Sequence, residues 1–199
     1  DLKALGVMDT GDLTNLVPGF TVANSDLNTP IYTLRGVGFN TPNLSSASPV
    51  GVYVDEASFP YPCMGNGLIH DLERVEVLKG PQGTLYGRNT TGGLVNFITN
   101  RPTDEFEASF TARVGNYESY GIDGFVSGPI SNSWGARLAF STLNANKGWQ
   151  ESVSRPGDRN GEKDRVSGRL LLDFDPSDRF SANLNLSYWK DRSDTQAGQ

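Results

Sequence analysis

The 199 residues contain one cysteine, Cys63, and one histidine, His70. A lone cysteine closes no internal disulfide. With a single histidine as its only soft companion it makes no zinc site, which takes three or four such ligands. Cys63 is therefore read as structural or incidental. A Ser-His-Asp centre would have to use His70, and no serine or cysteine sits in a nucleophile elbow. His70 is read as structural, so no catalytic residue, metal site or cofactor is expected. No apolar run reaches 18 residues, which excludes a transmembrane helix. It does not exclude a membrane barrel, whose strands alternate and score weakly on hydropathy. The formal net charge is −6 and no basic stripe offers phosphate neutralisation, which argues against nucleic acid as a partner. No signal peptide is visible, and Asp1 reads as lying within mature sequence. Apolar residues make up 36% and charged residues 20%, leaner than an average soluble domain.

Glycine, by contrast, is plentiful at 23, and aromatics reach 10%, as suits a turn-rich β-protein of one or two domains. The densest stretch runs from Asp71 to Thr103. Val75, Val77 and Leu78 form one apolar run; Leu94, Val95, Phe97 and Ile98 form another. Both have the spacing and composition of strands. Between them lie Gly80, Pro81, Gly83, Gly87, Gly92 and Gly93, which imply tight turns and close backbone approach rather than a helix. Taken alone, this is a glycine loop between two strands of a β-protein. Nucleotide-binding readings are weak. A phosphate loop needs Gly-Lys-Ser/Thr opening a helix, and Lys79 precedes its glycine. Gly36-x-Gly38 lacks the third glycine of a dinucleotide fingerprint.

Leu72-Glu73-Arg74-Val75-Glu76-Val77, Lys79-Gly80-Pro81, Leu85-Tyr86-Gly87, Gly92-Gly93 and Asn96 follow one another in an order and spacing that resembles the plug domain of TonB-dependent outer-membrane receptors. Leu34-Arg35-Gly36-Val37-Gly38 is similar to the aliphatic-Arg-Gly element of that family. Asp12-Leu13 through Leu16-Val17-Pro18-Gly19 to Val22 is similar to its opening, although the energy-coupling box and first plug strand that precede this point in the family are missing. The resemblance implies that Arg35 and Lys79 lock the plug by pairing with acids on the inner barrel wall. A lysine lacks the bidentate fork of the arginine often found at position 79, and a plain surface arginine is the alternative for Arg35.

Along the chain, Leu13, Leu16 and Val17 share one face of a short helix that Thr10 and Asp12 start and Pro18-Gly19 ends. Residues 30–40 read as a strand then a glycine turn, with Ile31, Thr33 and Arg35 alternating with Tyr32 and Leu34. Residues 50–57 read as a strand with Val50, Val52 and Val54 on one side. The family usually has Asp-Gly at its tip. Here Asp55-Glu56 stands, and glutamate does not supply positive φ cheaply, so the family's hairpin is not implied. Residues 39–49 and 58–68 read as loops. The resemblance implies that Phe39, Asn40, Phe59, Tyr61 and Met64 face the ligand; local packing is the alternative.

After Arg101-Pro102 the pattern becomes strict alternation over 107–115, 134–142, 165–174 and 180–188, with a weaker strand near 120–128. The apolar sets include Phe110 and Val114, Leu138 and Phe140, Leu170 and Leu172, Leu184 and Leu186. Residues 128–133 and 175–178 read as short turns and 144–164 as a long polar loop. Tyr117, Tyr120, Trp134, Trp149, Tyr188 and Trp189 lie near strand ends, as aromatic girdles do. A soluble antiparallel sandwich shows the same alternation.

The expected fold is an α+β plug domain over residues 1–103, followed over 104–199 by about five antiparallel strands of a transmembrane β-barrel. Five strands close no large barrel, and an open edge in a bilayer leaves backbone groups unsatisfied. The chain thus reads as a fragment of the family's 22-stranded plugged barrel. The implied function is active uptake of a scarce solute, a ferric siderophore, vitamin or similar, across the outer membrane of a Gram-negative bacterium. The implied partners are membrane lipid and the TonB coupling protein, and no covalent chemistry is involved. Two rivals remain: a secreted soluble β-rich binding module, and a hydrolase built on the glycine turn and dependent on His70.

Overall fold

The computed structural model describes residues 10–25, 29–39, 48–61, 64, 67, 70–177 and 179–195. Asn40 and Cys63 lie outside them. The chain forms two compact units: the first holds the described residues up to Thr99 together with Thr195, and the second is Asn100–Asp194.

The first unit opens with one 3-10 turn, Thr10–Asn15, in which Leu13 is buried. Pro18 disfavours helical φ/ψ at Val17, so the turn stops before Leu16. The expected face is accordingly broken: Val17 packs against the core, but Leu16 is 43% exposed. Strand β1 (Phe20–Asn24), which the sequence reading did not assign, pairs antiparallel with β2 (Pro30–Leu34). The expected strand ends early. Arg35 (φ 50°) and Gly36 (φ 80°) turn the chain back, and Leu34 and Val37 bond each other's backbone at 2.8 and 2.9 Å.

β3 (Val50–Val54), β4 (Ala57–Ser58), β5 (Leu72–Lys79) and β6 (Gly93–Thr99) form a sheet in the order β4-β3-β6-β5. β3 runs parallel to β6, and β5 runs antiparallel to it. A central strand is covered on both faces, which explains the near-continuous apolar run from Leu94 to Ile98. Val52, Val54, Val95 and Phe97 face a core shared with Leu13, Phe20, Tyr32 and Leu34. Within the glycine stretch, α1 (Gly83–Tyr86) makes one helical turn, with Tyr86 N donating to Gln82 O at 3.0 Å and Gly87 N to Gly83 O at 3.1 Å. This corrects the expectation of turns without helix. Four residues need only one rung each way, and Gly87 (φ 73°) then leaves the turn.

The second unit is an up-and-down antiparallel sheet. Its strands are β7 (Glu107–Gly115), β8 (Ser119–Ser131), β9 (Trp134–Ala145), β12 (Lys163–Ser177) and β13 (Phe180–Asp191). The sheet order is β13-β12-β9-β8-β7, so each of these five strands pairs with the next of the five in sequence. The long connection before β12 is not purely loop: β10 (Gln150–Glu151) and β11 (Arg159–Asn160) pair within it. The strands outrun the alternation that revealed them. β8 and β9 stay paired past a bulge to Ser131↔Trp134, and β12 and β13 to Ser177↔Phe180, so both turns are tighter than expected.

Candidate functional site

In the second unit the two faces are the reverse of a soluble sheet. Val114 is 90% exposed, Phe110 66% and Leu186 53%, whereas Arg137 is 4% and Arg169 2% exposed. A soluble sandwich covers its apolar face and solvates its polar one. A barrel strand whose outer side meets hydrocarbon does the opposite.

Several charges on the polar face are matched within the unit. Arg113 Nη2 lies 2.6 Å from Asp123 Oδ1, and Arg165 Nε lies 3.0 Å from Asp191 Oδ2. Arg101 Nη1 is 3.5 Å from Asp173 Oδ1, and the Arg137 guanidinium sits 3.7 Å over the Phe125 ring. Cross-strand placement produces these contacts: Arg165 is directly opposite Asp191, and Asp123 is one step diagonal to Arg113.

Aromatic rings gather at one end of the apolar face, where Trp134 stacks on Phe174 at 4.4 Å and Phe180 meets Phe174 edge-on at 6.2 Å. Tyr120 and Tyr188 are exposed at the other. From Phe180 to Tyr188 is about 27 Å of strand, or about 20 Å along the normal at the usual barrel tilt, close to the apolar band such barrels carry. Trp189 does not join this set. It is opposite Ser167, which puts it on the polar face.

In the first unit the two expected lock cations meet at one turn. Lys79 Nζ donates to the Pro18 carbonyl at 2.8 Å, and the Arg35 backbone N–H donates to the Gly19 carbonyl at 2.6 Å. The register of β1 with β2 sets Leu34 opposite Phe20 and so places Arg35 beside Gly19, while Lys79, the last residue of β5, reaches the turn with its side chain. The Arg35 side chain is exposed and makes no ion pair among the described residues.

The motif residues knit the sheet. Gly80 N donates to Gly92 O at 3.1 Å, and Gly92 N to Pro49 O at 2.9 Å. A Cβ on Gly93 (φ 132°) would lie 2.2 Å from the Leu78 carbonyl oxygen. Pro81 and Gly83 are exposed at the start of the helical turn. The turn lies over the second face of the sheet, where Tyr86 receives the Tyr53 hydroxyl on its carbonyl at 2.7 Å and packs edge-on against the Tyr53 ring. Asn96 is buried between two strands. Its Oδ1 accepts from Glu56 N at 3.3 Å, and its Nδ2 donates to Glu76 Oε2 at 3.4 Å. Arg74 continues the row to Glu76 and Glu73. The Glu76 hydrogen bond first, and the Glu73 bond after it, outweigh desolvation and raise the Arg74 guanidinium above its ordinary value.

Of the expected ligand-facing residues, Phe39 and Tyr61 are exposed, Met64 is half-buried, and Phe59 packs against the core. His70 is buried, with Nδ1 3.0 Å from the Gly67 carbonyl. Among the described residues no group of three or more His, Cys, Asp or Glu is placed to hold a metal. The Asp55-Glu56 tip, bonded to β6, was not legible as a site.

The family described as TonB-dependent Receptor Plug Domain matches residues 1–94. The pesticin receptor of Yersinia pestis is 32% identical over 136 residues, covering 66% of this chain and 19% of the relative. The ferripyoverdine receptor of Pseudomonas aeruginosa is 31% identical over 141 residues, covering 69% and 16% respectively. The chain thus spans about a fifth of the length of the curated relatives it matches. Among solved structures, the ferric yersiniabactin uptake receptor of Yersinia pestis superposes with a TM-score of 0.71 at 26% identity, over 84% of this chain and 26% of that one. The pyoverdine outer-membrane receptor of Pseudomonas aeruginosa shares the fold, with a TM-score of 0.70 at 22% identity over 91% and 25%.

Proposed function

Since the chain belongs to the TonB-dependent receptors of the Gram-negative outer membrane, with an α+β plug followed by antiparallel barrel strands, we propose that it is part of a receptor for active uptake of a ferric siderophore or a similar iron complex. The solute class is supported by the names of the relatives, which include receptors for ferripyoverdine and ferric yersiniabactin. The observation that carries the membrane reading is the inverted sheet, exposed at Phe110, Val114 and Leu186 and buried at Arg137 and Arg169. The same inversion disfavours a soluble binding module. The work is transport, and His70 has no part in it.

In this reading residues 1–103 are the plug and 104–199 the first strands of the wall. TonB, acting through a segment outside this sequence, rearranges the plug. Phe39, Asn40, Tyr61 and Met64 contribute to the solute site; Phe59 contributes through packing. Arg35 and Lys79, gathered at the Pro18-Gly19 turn, form the lock. Asp123 and Asp191 on the polar face already have arginine partners in their own sheet, and Asp173 has Arg101 in the same unit. The acids that answer the lock are therefore assigned to wall strands beyond this sequence.

The test is iron uptake. The full-length gene, expressed under iron limitation in a strain stripped of its own receptors, should give accumulation of radioactive iron from at least one siderophore in a panel of pyoverdine, phenolate-thiazoline and catecholate types. That accumulation should vanish when TonB is deleted. Accumulation of none of them, or accumulation independent of TonB, would refute the assignment.

A further inference from the structure

The tip between β3 and β4 is held against its own backbone preference. Asp55 (φ 47°) and Glu56 (φ 69°) both lie in the left-handed region that L side chains rarely adopt. Two such residues in a row make the two-residue turn that suits a hairpin, but glycine or asparagine ordinarily supplies it. The tip is tied to β6 by four hydrogen bonds. Asp55 N donates to Phe97 O at 3.0 Å. The Asp55 carboxylate accepts from Thr99 N at 2.9 Å and from Thr99 Oγ1 at 2.8 Å. Glu56 N donates to Asn96 Oδ1 at 3.3 Å.

The placement is specific. In a parallel pair whose last rung is Asp55 N to Phe97 O, the next rung would run from Thr99 N to the Asp55 carbonyl. The carboxylate takes that rung instead, which ends the ladder and frees the backbone to turn. Thr99 is fully buried and is the last residue of β6. A charged acceptor makes these bonds strong, while the positive φ values raise the energy of the state they hold. Bonds and strain therefore oppose each other at one point. Once the carboxylate lets go, both residues relax to ordinary φ, which makes the released form a discrete alternative rather than a continuous loosening.

We propose that Asp55 is a releasable latch on the C-terminal end of β6: its carboxylate grips Thr99, and the β3–β4 tip and Thr99 open together, as a local unit, before the rest of the sheet. Glu56 loads the latch. Glycine at that position would relieve the strain and tighten the closed form.

Native-state hydrogen exchange on the full-length protein in detergent micelles, in low denaturant, tests this without any solute. In the unaltered protein, amides of 55–57 and Thr99 should share one opening, distinct from the slower exchange of Val95 and Phe97. Asp55→Asn should speed exchange at 55–57 and Thr99 by about tenfold and leave Val95 and Phe97 unchanged. Glu56→Gly should slow exchange at the same amides by about fivefold. A merely structural Asp55 would accelerate exchange across the whole sheet. That outcome, a shared opening for Thr99 and Phe97, or faster exchange in Glu56→Gly would overturn the latch.

Discussion

Three glycine-to-alanine changes in the segment 80–93 separate conformational strain from collision. At Gly83 a Cβ meets nothing within 4 Å and no positive φ is required. Alanine there should be neutral or stabilise by about 0.4–1 kcal/mol, because it restricts the unfolded chain. At Gly80 a Cβ again meets nothing within 4 Å, but φ is +92°. Strain alone then costs about 1–2 kcal/mol. At Gly93 φ is +132°, and the Cβ would sit 2.2 Å from Leu78 O and 2.8 Å from Leu34 Cδ1. The leucine tip can swing, but the carbonyl belongs to the ladder beside the Lys79↔Gly93 pair. Strain, overlap and a lost rung together cost about 3–6 kcal/mol. That is a large part of the about 5–15 kcal/mol that holds a domain together. Plug stability in the full-length protein is read by limited proteolysis and by exchange of the β6 amides. The expected order of resistance is Gly83→Ala, Gly80→Ala, Gly93→Ala. A Gly93→Ala protein as resistant as Gly80→Ala would refute the collision, and a Gly83→Ala protein as fragile as Gly93→Ala would refute the whole position-by-position reasoning.

On the lock, Arg35→Ala in the full-length protein should loosen the plug and raise passive entry of small antibiotics several-fold; unchanged entry would remove Arg35 from that role. On the wall, Leu186→Arg should cost about 2–4 kcal/mol and lower the folded yield in membranes, while Asn185→Arg, one residue away on the other face, should be tolerated. Equal yields would contradict the assignment of faces. In the sheet, Asn96→Leu strands the Glu56 N–H and removes a donor to Glu76, so it should destabilise the plug by about 1–3 kcal/mol in a denaturant titration.

Most of the wall was legible in the residues because its pattern is local. Alternation over 107–115 is the observed β7, and the other four strands were found but drawn short. Their ends carry Pro129, Asn144 and Asp175, which read as loop residues, yet strand pairing holds Pro129 and Asn144 and a backbone bond to Ser133 holds Asp175. The central strand of the plug was legible for the same reason. What escaped were features set by distant contacts. Arg35 is not a residue that announces positive φ, and only the close Leu34–Val37 pair turns it. Asp55-Glu56 argued locally against a tight hairpin. The hairpin forms because Thr99, 44 positions on, supplies two bonds that outweigh the local preference. The helical turn at Gly83–Tyr86 was masked by glycine, whose weak propensity is overridden by the seat of Tyr86 on Tyr53.

The two units use the same residue types under opposite rules. Leu34, Leu94 and Phe97 are buried in the first, while Phe110, Leu138 and Leu186 are exposed in the second. Hydropathy along the chain is blind to this difference, because alternation records a two-sided strand and not which side is wet. Charge resolves it. Arginine and aspartate side chains are costly to cover unless paired, and on the second unit's covered face they are paired across strands, Arg113 with Asp123 and Arg165 with Asp191. Among the described residues, Asp123 and Asp191 on that face each already hold an arginine of their own sheet. Arg35, placed beside Gly19 by the register of β1 with β2, and Lys79, whose side chain reaches the Pro18 carbonyl, would then compete with an arginine already in place. Any lock they form must therefore draw on carboxylates from other strands, and Asp123→Asn in the full-length protein should leave antibiotic entry unchanged where Arg35→Ala raises it.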